Sequence, residues 1–143
     1  MWFWKQCVLF YLGGSVYMTL EFAWRGFSHF SMFLAGGCCF LLIGRLGKLP
    51  RPIPLPVRAV LGAGIITAVE LLAGLIFNRS YTVWDYRKLP LNFQGQICLP
   101  FTLLWAPLSI AAGWLFHGAE TQIDLRLRAP ETRYAAARHR LFP

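Results

Sequence analysis

Three of the six acidic residues, Glu21, Glu70 and Asp85, lie inside or beside strongly apolar sequence. Near them along the chain are Arg25, His29, Asn78, Arg79, Asn92, Gln94 and Gln96. Trp84 and Tyr86 flank Asp85 in the segment TVWDYRKLPLNFQGQICLP, residues 82–100. A carboxylate exposed to lipid costs several kcal/mol, so such groups face the protein interior or a wet cavity. Glu21 and Glu70 are therefore expected to point inward, toward each other and toward Arg25. Two inward carboxylates beside a guanidinium can bind or relay a cation or a proton. Glu70, Glu21 or His29 equally suits a general base, with Arg25 holding a phosphate or carboxylate and residues 82–96 as a lid over a lipid or isoprenoid headgroup. Glu21, Arg25 and His29 are spaced by four, so they share a face if helix continues through Gly26. Plainer roles stand beside these: an i,i+4 pair for Glu21 and Arg25, a pair or turn cap for Asp85 with Arg87 or Lys88, and an interfacial position for His29. The aromatic residues equally suit a membrane belt and core packing.

These side chains need elements to hold them. The chain has 143 residues, 57% hydrophobic and only 14% charged, where a soluble domain carries about a quarter charged. Residues 6–20, 30–44 and 97–116 contain no charged group, and 59–77 contain Glu70 alone. About 20 apolar residues cross a bilayer as helix. The reading is an all-α polytopic membrane protein with transmembrane helices near 3–24, 28–45, 57–78 and 95–117, arranged as two hairpins. Residues 1–118 would form the membrane domain and 119–143 a basic cytoplasmic tail, a short surface helix with a mobile end. MWFWKQ has no basic segment ahead of its apolar run, so it reads as part of a permanent first span. Glu21 and Glu70 fall at similar depths in the first and third runs, which suggests a duplicated hairpin. Paired glycines such as Gly13-Gly14 and Gly36-Gly37 let helices approach closely. LPRPIPLPVR, 49–58, reads as a stiff connector. Pro100 is tolerable near a helix start, and Pro107 should kink the fourth helix or loosen its backbone bonding. Asn92 or Gln94, with Gly95, is expected to open that helix and aim its N–H groups at an anion.

The net charge of +8 raises a nucleic-acid reading, which the distribution rejects. Lys5, Arg45, Lys48, Arg51, Arg58, Arg126, Arg128, Arg133, Arg138 and Arg140 account for ten of the fourteen basic residues. Arg25, Arg79, Arg87 and Lys88 occupy the other two connections. The positive-inside rule then places both termini and the 2–3 loop in the cytoplasm, with anionic lipid as a secondary contact. Cys7, Cys38, Cys39 and Cys98 form no CxxC, and neither a disulfide framework nor a metal site is expected. His117 reads as a helix-end residue. No hydrolase, metalloprotease or Walker A motif is present, and no cofactor is implied.

Two blocks resemble a known family. One is Glu21, Trp24-Arg25-Gly26, Ser28-His29 and Ser31-Met32. The other runs from Glu70, Gly74 and Asn78 through Trp84-Asp85-Tyr86, Leu89-Pro90, Asn92 and Gly95-Gln96-Ile97-Cys98 to Trp105. Together they cover roughly residues 15–110 and are similar to the CmpB-like ABC-transporter (type IV) permeases, small bacterial integral membrane proteins. The family often has serine where Arg87 follows Trp-Asp-Tyr, so Asp85 gains a second charge beside it. The family also commonly has acidic residues in the 2–3 loop, where this chain has prolines and basic residues, so that loop is not expected to be the functional surface. The resemblance implies a membrane fold and points to the same polar cluster.

Three functions compete. The first is a transporter or channel-like protein of the bacterial cytoplasmic membrane, with an outer-side cavity built on Glu21 and Glu70. Its small size then calls for a homo-oligomer or a partner membrane or ATPase subunit, with lipids around it. The second is a membrane-embedded enzyme acting on a lipid or isoprenoid headgroup. The third is an accessory subunit in which the polar cluster only holds helices together.

Overall fold

The computed structural model describes the backbone of residues 2–141 and the side chains of residues 2–128. Four helices follow one another: α1 (Trp2–Arg25), α2 (Phe30–Leu46), α3 (Leu55–Phe77) and α4 (Leu99–Leu141). α1, α3 and the Leu99–Arg128 part of α4 are long and apolar enough to cross a membrane, whereas α2 has only 17 residues. Large apolar side chains lie open on the outside, among them Trp4, Trp24, Val60, Leu103 and Trp114. An apolar exterior of this extent marks a surface that lipid or protein covers.

α1 packs on α2, and α3 on α4; the two hairpins meet through α2. Glycines set the α1–α2 approach reciprocally. Gly13 and Gly14 receive Phe40 and Phe33 of α2, while Gly36 and Gly37 receive Tyr17 and Phe10 of α1. A Cβ at Gly36 would come within 2.5 Å of the Tyr17 Cβ. Gly44 takes the Phe116 ring of α4, closing a small core with Leu9 and Phe40. α2 thus touches both neighbours of the other hairpin and carries seven buried residues in 17.

Helix ends follow local chemistry. α1 stops because Gly26 takes φ +75° and its N–H bonds Phe22 O at 2.9 Å, the left-handed termination that glycine makes without a Cβ penalty. The helix does not continue through Gly26, so the shared face expected for Glu21, Arg25 and His29 does not extend to His29. His29 instead caps α2, its Nδ1 accepting from Ser31 N at 3.2 Å. Pro54 precedes α3, and Pro56 sits in its first turn, where no N–H partner is needed.

The start of α4 also departs from expectation. Asn92 and Gly95 do not open it. Asn92–Phe93 (β1) pairs antiparallel with Ile97–Cys98 (β2), and the helix begins only at Leu99. Gln94 and Gly95 both have positive φ, and Gln96 N bonds Phe93 O at 3.0 Å. Positive φ at both central positions is the hairpin geometry that matches strand twist. Pro100 falls in the first turn of α4, as expected, and Pro107 leaves the carbonyl one turn earlier without its helical donor.

α4 runs on as unbroken helix past Gly118 into the segment read as a tail. There Glu120 is buried and joins Lys48, while Lys5 lies 3.0 Å from Glu120 Oε1 and 2.9 Å from Asp124 Oδ1. This cluster ties α1, the 2–3 connection and α4 at the end of the bundle opposite Glu21. His117 packs over Gly47 in the same region. The tail thus continues as helix to Leu141 where a short surface helix and a mobile end were expected; the side chains of Glu131, Arg133, Arg138 and Arg140 and residues 142–143 lie outside the described residues.

Candidate functional site

Glu21 lies one turn before the end of α1, with Arg25 on the next turn. Arg25 donates to Glu21 Oε1 at 2.5 Å and to the backbone carbonyl of Val83 at 2.6 Å. Ser28 donates to the other Glu21 oxygen at 2.8 Å. The expected i,i+4 pair exists, and it also latches the end of α1 to the 3–4 connection.

Glu70 lies seven residues before the end of α3, about 10 Å of helix rise. Its two oxygens accept from Tyr86 Oη at 2.8 Å and Trp105 Nε1 at 3.0 Å. Tyr86 descends from the connection and stacks on Phe101, with centroids 4.8 Å apart. Burial pushes the Tyr86 phenol far above its ordinary value, and the neighbouring Glu70 carboxylate adds to this. The hydroxyl therefore stays protonated and serves as a donor.

Glu21, Arg25 and Glu70 line one cavity of about 540 Å³ between α1, α3 and α4, with Trp84 and Tyr86 from the connection. Glu21 and Glu70 thus face a common space, although neither bonds the other. A second, apolar cavity of about 300 Å³ runs along α2 and shares Tyr17 and Glu70 with the first.

The remaining predicted residues are placed elsewhere. Asn78 and Gln96 form a closed buried network. Asn78 Nδ2 donates to Trp84 O at 2.6 Å and to Gln96 Oε1 at 3.0 Å, and its Oδ1 accepts from Val83 N at 2.9 Å. Gln96 Nε2 returns a bond to Asn78 O at 3.0 Å, and Trp84 Nε1 donates to Gln96 O at 2.9 Å. Each side-chain polar atom there has a partner inside the protein, so the network fixes the connection. Asn92 holds the hairpin, accepting from Gly95 N at 3.1 Å and donating to Leu89 O at 2.9 Å. Asp85 points outward and takes two bonds from the Arg87 guanidinium, at 2.9 and 2.7 Å. The Arg87 side chain and backbone N–H hold the Asp85 carboxyl down to about 2.

Among the aromatic residues lining the cavity, Tyr17 and Phe101 carry no chemical signal of a site in the sequence. Trp105 was visible only within the family-like block. Tyr17 is four residues before Glu21, so helical spacing alone puts both on one face. Among the described residues no three His, Cys, Asp or Glu side chains gather as a metal site would require.

The pattern of the family described as "Putative ABC-transporter type IV" matches residues 1–133. The chain belongs to that family. Both blocks noted in the sequence fall inside the match, as do α1, α2, α3 and most of α4. No curated protein and no solved structure matches this chain. Membership and the apolar helices make it a membrane protein of the transporter type.

Proposed function

We propose that this protein is a multi-pass transport component of the bacterial cytoplasmic membrane, with Glu21, Arg25 and Glu70 as its substrate or ion site. All four helices would span, with both termini and the 2–3 connection cytoplasmic and the 78–98 connection outside. α2, at 17 residues, is about 26 Å long, a little under the ~30 Å hydrocarbon layer. Its central place in the bundle supports a spanning role despite that length.

The observation that carries the reading is the cavity holding Glu70 together with the Glu21–Arg25 pair. Carboxylates kept inside a membrane protein mark ion and substrate pathways. Trp84 and Tyr86 form its outer wall, and the Arg25 latch to Val83 O closes the connection over it. A four-helix chain encloses little pore of its own, so a second copy or a partner subunit would complete the path. Because the sequence has no Walker A motif, any coupling to ATP would come from a partner.

The test is ion and proton flux in liposomes holding purified protein, comparing wild type with Glu70→Gln. Flux in the wild type that the folded variant loses is expected. Equal flux in both, or none in either, would remove Glu70 from the pathway.

A further inference from the structure

The chemistry of the cavity walls narrows what the site holds. Arg25 is committed twice, to Glu21 and to Val83 O. Glu70, among the described residues, has only the neutral donors Tyr86 and Trp105. The cavity lining therefore contains two acids against one base, and the acid without a cationic partner is Glu70. Each Glu70 oxygen keeps a further lone pair free for an incoming donor.

Around Glu70 the walls are aromatic. Tyr86 stacks on Phe101; Phe101 lies 5.9 Å from Trp105, and Trp105 lies 6.4 Å from Tyr17, centroid to centroid. Rings arranged about a carboxylate attract a cation through their negative faces, most strongly where water is excluded. A bare metal ion is held by several oxygen or nitrogen ligands, and among the described residues no three His, Cys, Asp or Glu side chains gather to supply them. The cavity volume of about 540 Å³ falls within the ~300–1,000 Å³ of small-molecule pockets. Its rim is formed by Leu20 and Trp24 of α1 and by Leu104, Pro107 and Ala111 of α4, all exposed on the outer surface of the bundle. α1 and α4 touch only sparsely, so the gap between them opens sideways.

We propose that the cavity binds an organic cation with an apolar body, admitted from the bilayer between α1 and α4. This deepens the transport reading and rests on it for the direction of entry. The Glu70 carboxylate supplies the counter-charge, and the rings of Tyr17, Tyr86, Phe101 and Trp105 enclose the apolar body.

The probe is tetraphenylphosphonium, with tetraphenylborate as the control of similar shape and opposite charge. Binding to the purified full chain is followed by equilibrium dialysis and tryptophan fluorescence. Saturable binding of the phosphonium is expected, weakened about tenfold or more in Glu70→Gln and several-fold in Phe101→Ala. Phe101→Ala leaves both Glu70 hydrogen bonds in place, so it tests the ring wall even if Glu70→Gln fails to fold. The borate should show no saturable binding. Equal affinity for the two ions, or phosphonium affinity unchanged in both variants, would overturn the proposal. Flux that depends on Glu70 without phosphonium binding would also overturn it, while leaving the transport reading intact. Glu70-dependent binding without any flux would support the ligand class and remove the transport reading.

Discussion

The Tyr86 hydroxyl lies 2.8 Å from Glu70 Oε1, joining a residue of the 3–4 connection to a carboxylate within α3. Trp105 holds the other Glu70 oxygen from α4. The carboxylate is thus oriented from two sides before anything enters the cavity, and one of those sides belongs to a segment between helices. Movement of the connection would change the hydrogen bonding of Glu70 directly.

Tyr86→Phe removes that donor and keeps the ring stacked on Phe101. Loss of one hydrogen bond to a charged acceptor corresponds to ~1.5–3 kcal/mol, so Glu70-dependent flux should change by about tenfold or more while helical content is unchanged. Circular dichroism beside the liposome assay checks this; unchanged flux would mean that Tyr86 does not position Glu70.

Asn78→Ala and Gln96→Ala should behave differently, because their bonds are internal. Each leaves several buried groups unpaired, at ~1–3 kcal/mol per group, so the expected result is lower thermal stability and increased exchange of the Val83 and Trp84 amides. A well-folded Gln96→Ala protein with a specific transport defect would instead return Gln96 to the site.

Much of this architecture is legible in the sequence. α1, α2 and α3 begin and end close to the limits of the apolar runs, because hydrophobic length is the signal that survives without any knowledge of packing; α4 begins near its run but continues as helix to Leu141, well beyond it. Glu21, Arg25 and Glu70 are found by the rarity of charge within such runs. The 3–4 connection is harder. Asn78, Asp85, Asn92 and Gln96 look alike as polar residues near a membrane surface, yet they serve three different ends. Which ones close on each other is decided by contacts such as Asn78 with Gln96, 18 residues apart, which no local pattern encodes. Gly95 within NFQGQIC reads as the opening of a helix rather than as a hairpin turn, because two residues of strand on each side are too short to show alternation. His29 misleads because four-residue spacing assumes a helix that Gly26 has already ended.

Gly36→Ala tests the reciprocal packing of α1 and α2. The added methyl would meet the Tyr17 Cβ, an atom that cannot turn aside by a rotamer change. Overpacking of this kind costs ~1–3 kcal/mol, and it would push Tyr17 against the cavity. A lower melting temperature is expected, together with a shift in the fluorescence of Trp105, whose ring lies 6.4 Å from that of Tyr17. Gly64→Ala, where a Cβ meets nothing within 4 Å among the described residues, is the internal control and should leave both unchanged.

The Asp85 carboxyl is depressed from its ordinary 3.8 to about 2, so its contribution is fully present above pH ~4 and is lost as pH falls through 2. Between pH 5 and 8 it does not titrate. Any pH dependence of flux in that window must arise from another group, and Asp85→Asn should leave the profile in place. A profile that moved with Asp85→Asn would mean that the carboxylate reaches the pathway.

Arg25 joins a charge inside the bundle to the backbone of the 3–4 connection, which makes its substitution the sharpest test of coupling between them. Lysine at this position keeps the charge but cannot form the fork that serves Glu21 Oε1 and Val83 O together. Arg25→Lys should therefore retain the charge balance of the cavity while releasing the connection. The Val83 segment would then show faster hydrogen exchange, and Glu70-dependent flux would change at least several-fold. Arg25→Gln removes the charge as well and should be the more severe of the two. Exchange of the connection that is the same in Arg25→Lys as in the wild type would show that the Asn78–Gln96 network alone holds it, and that Arg25 acts only as the partner of Glu21.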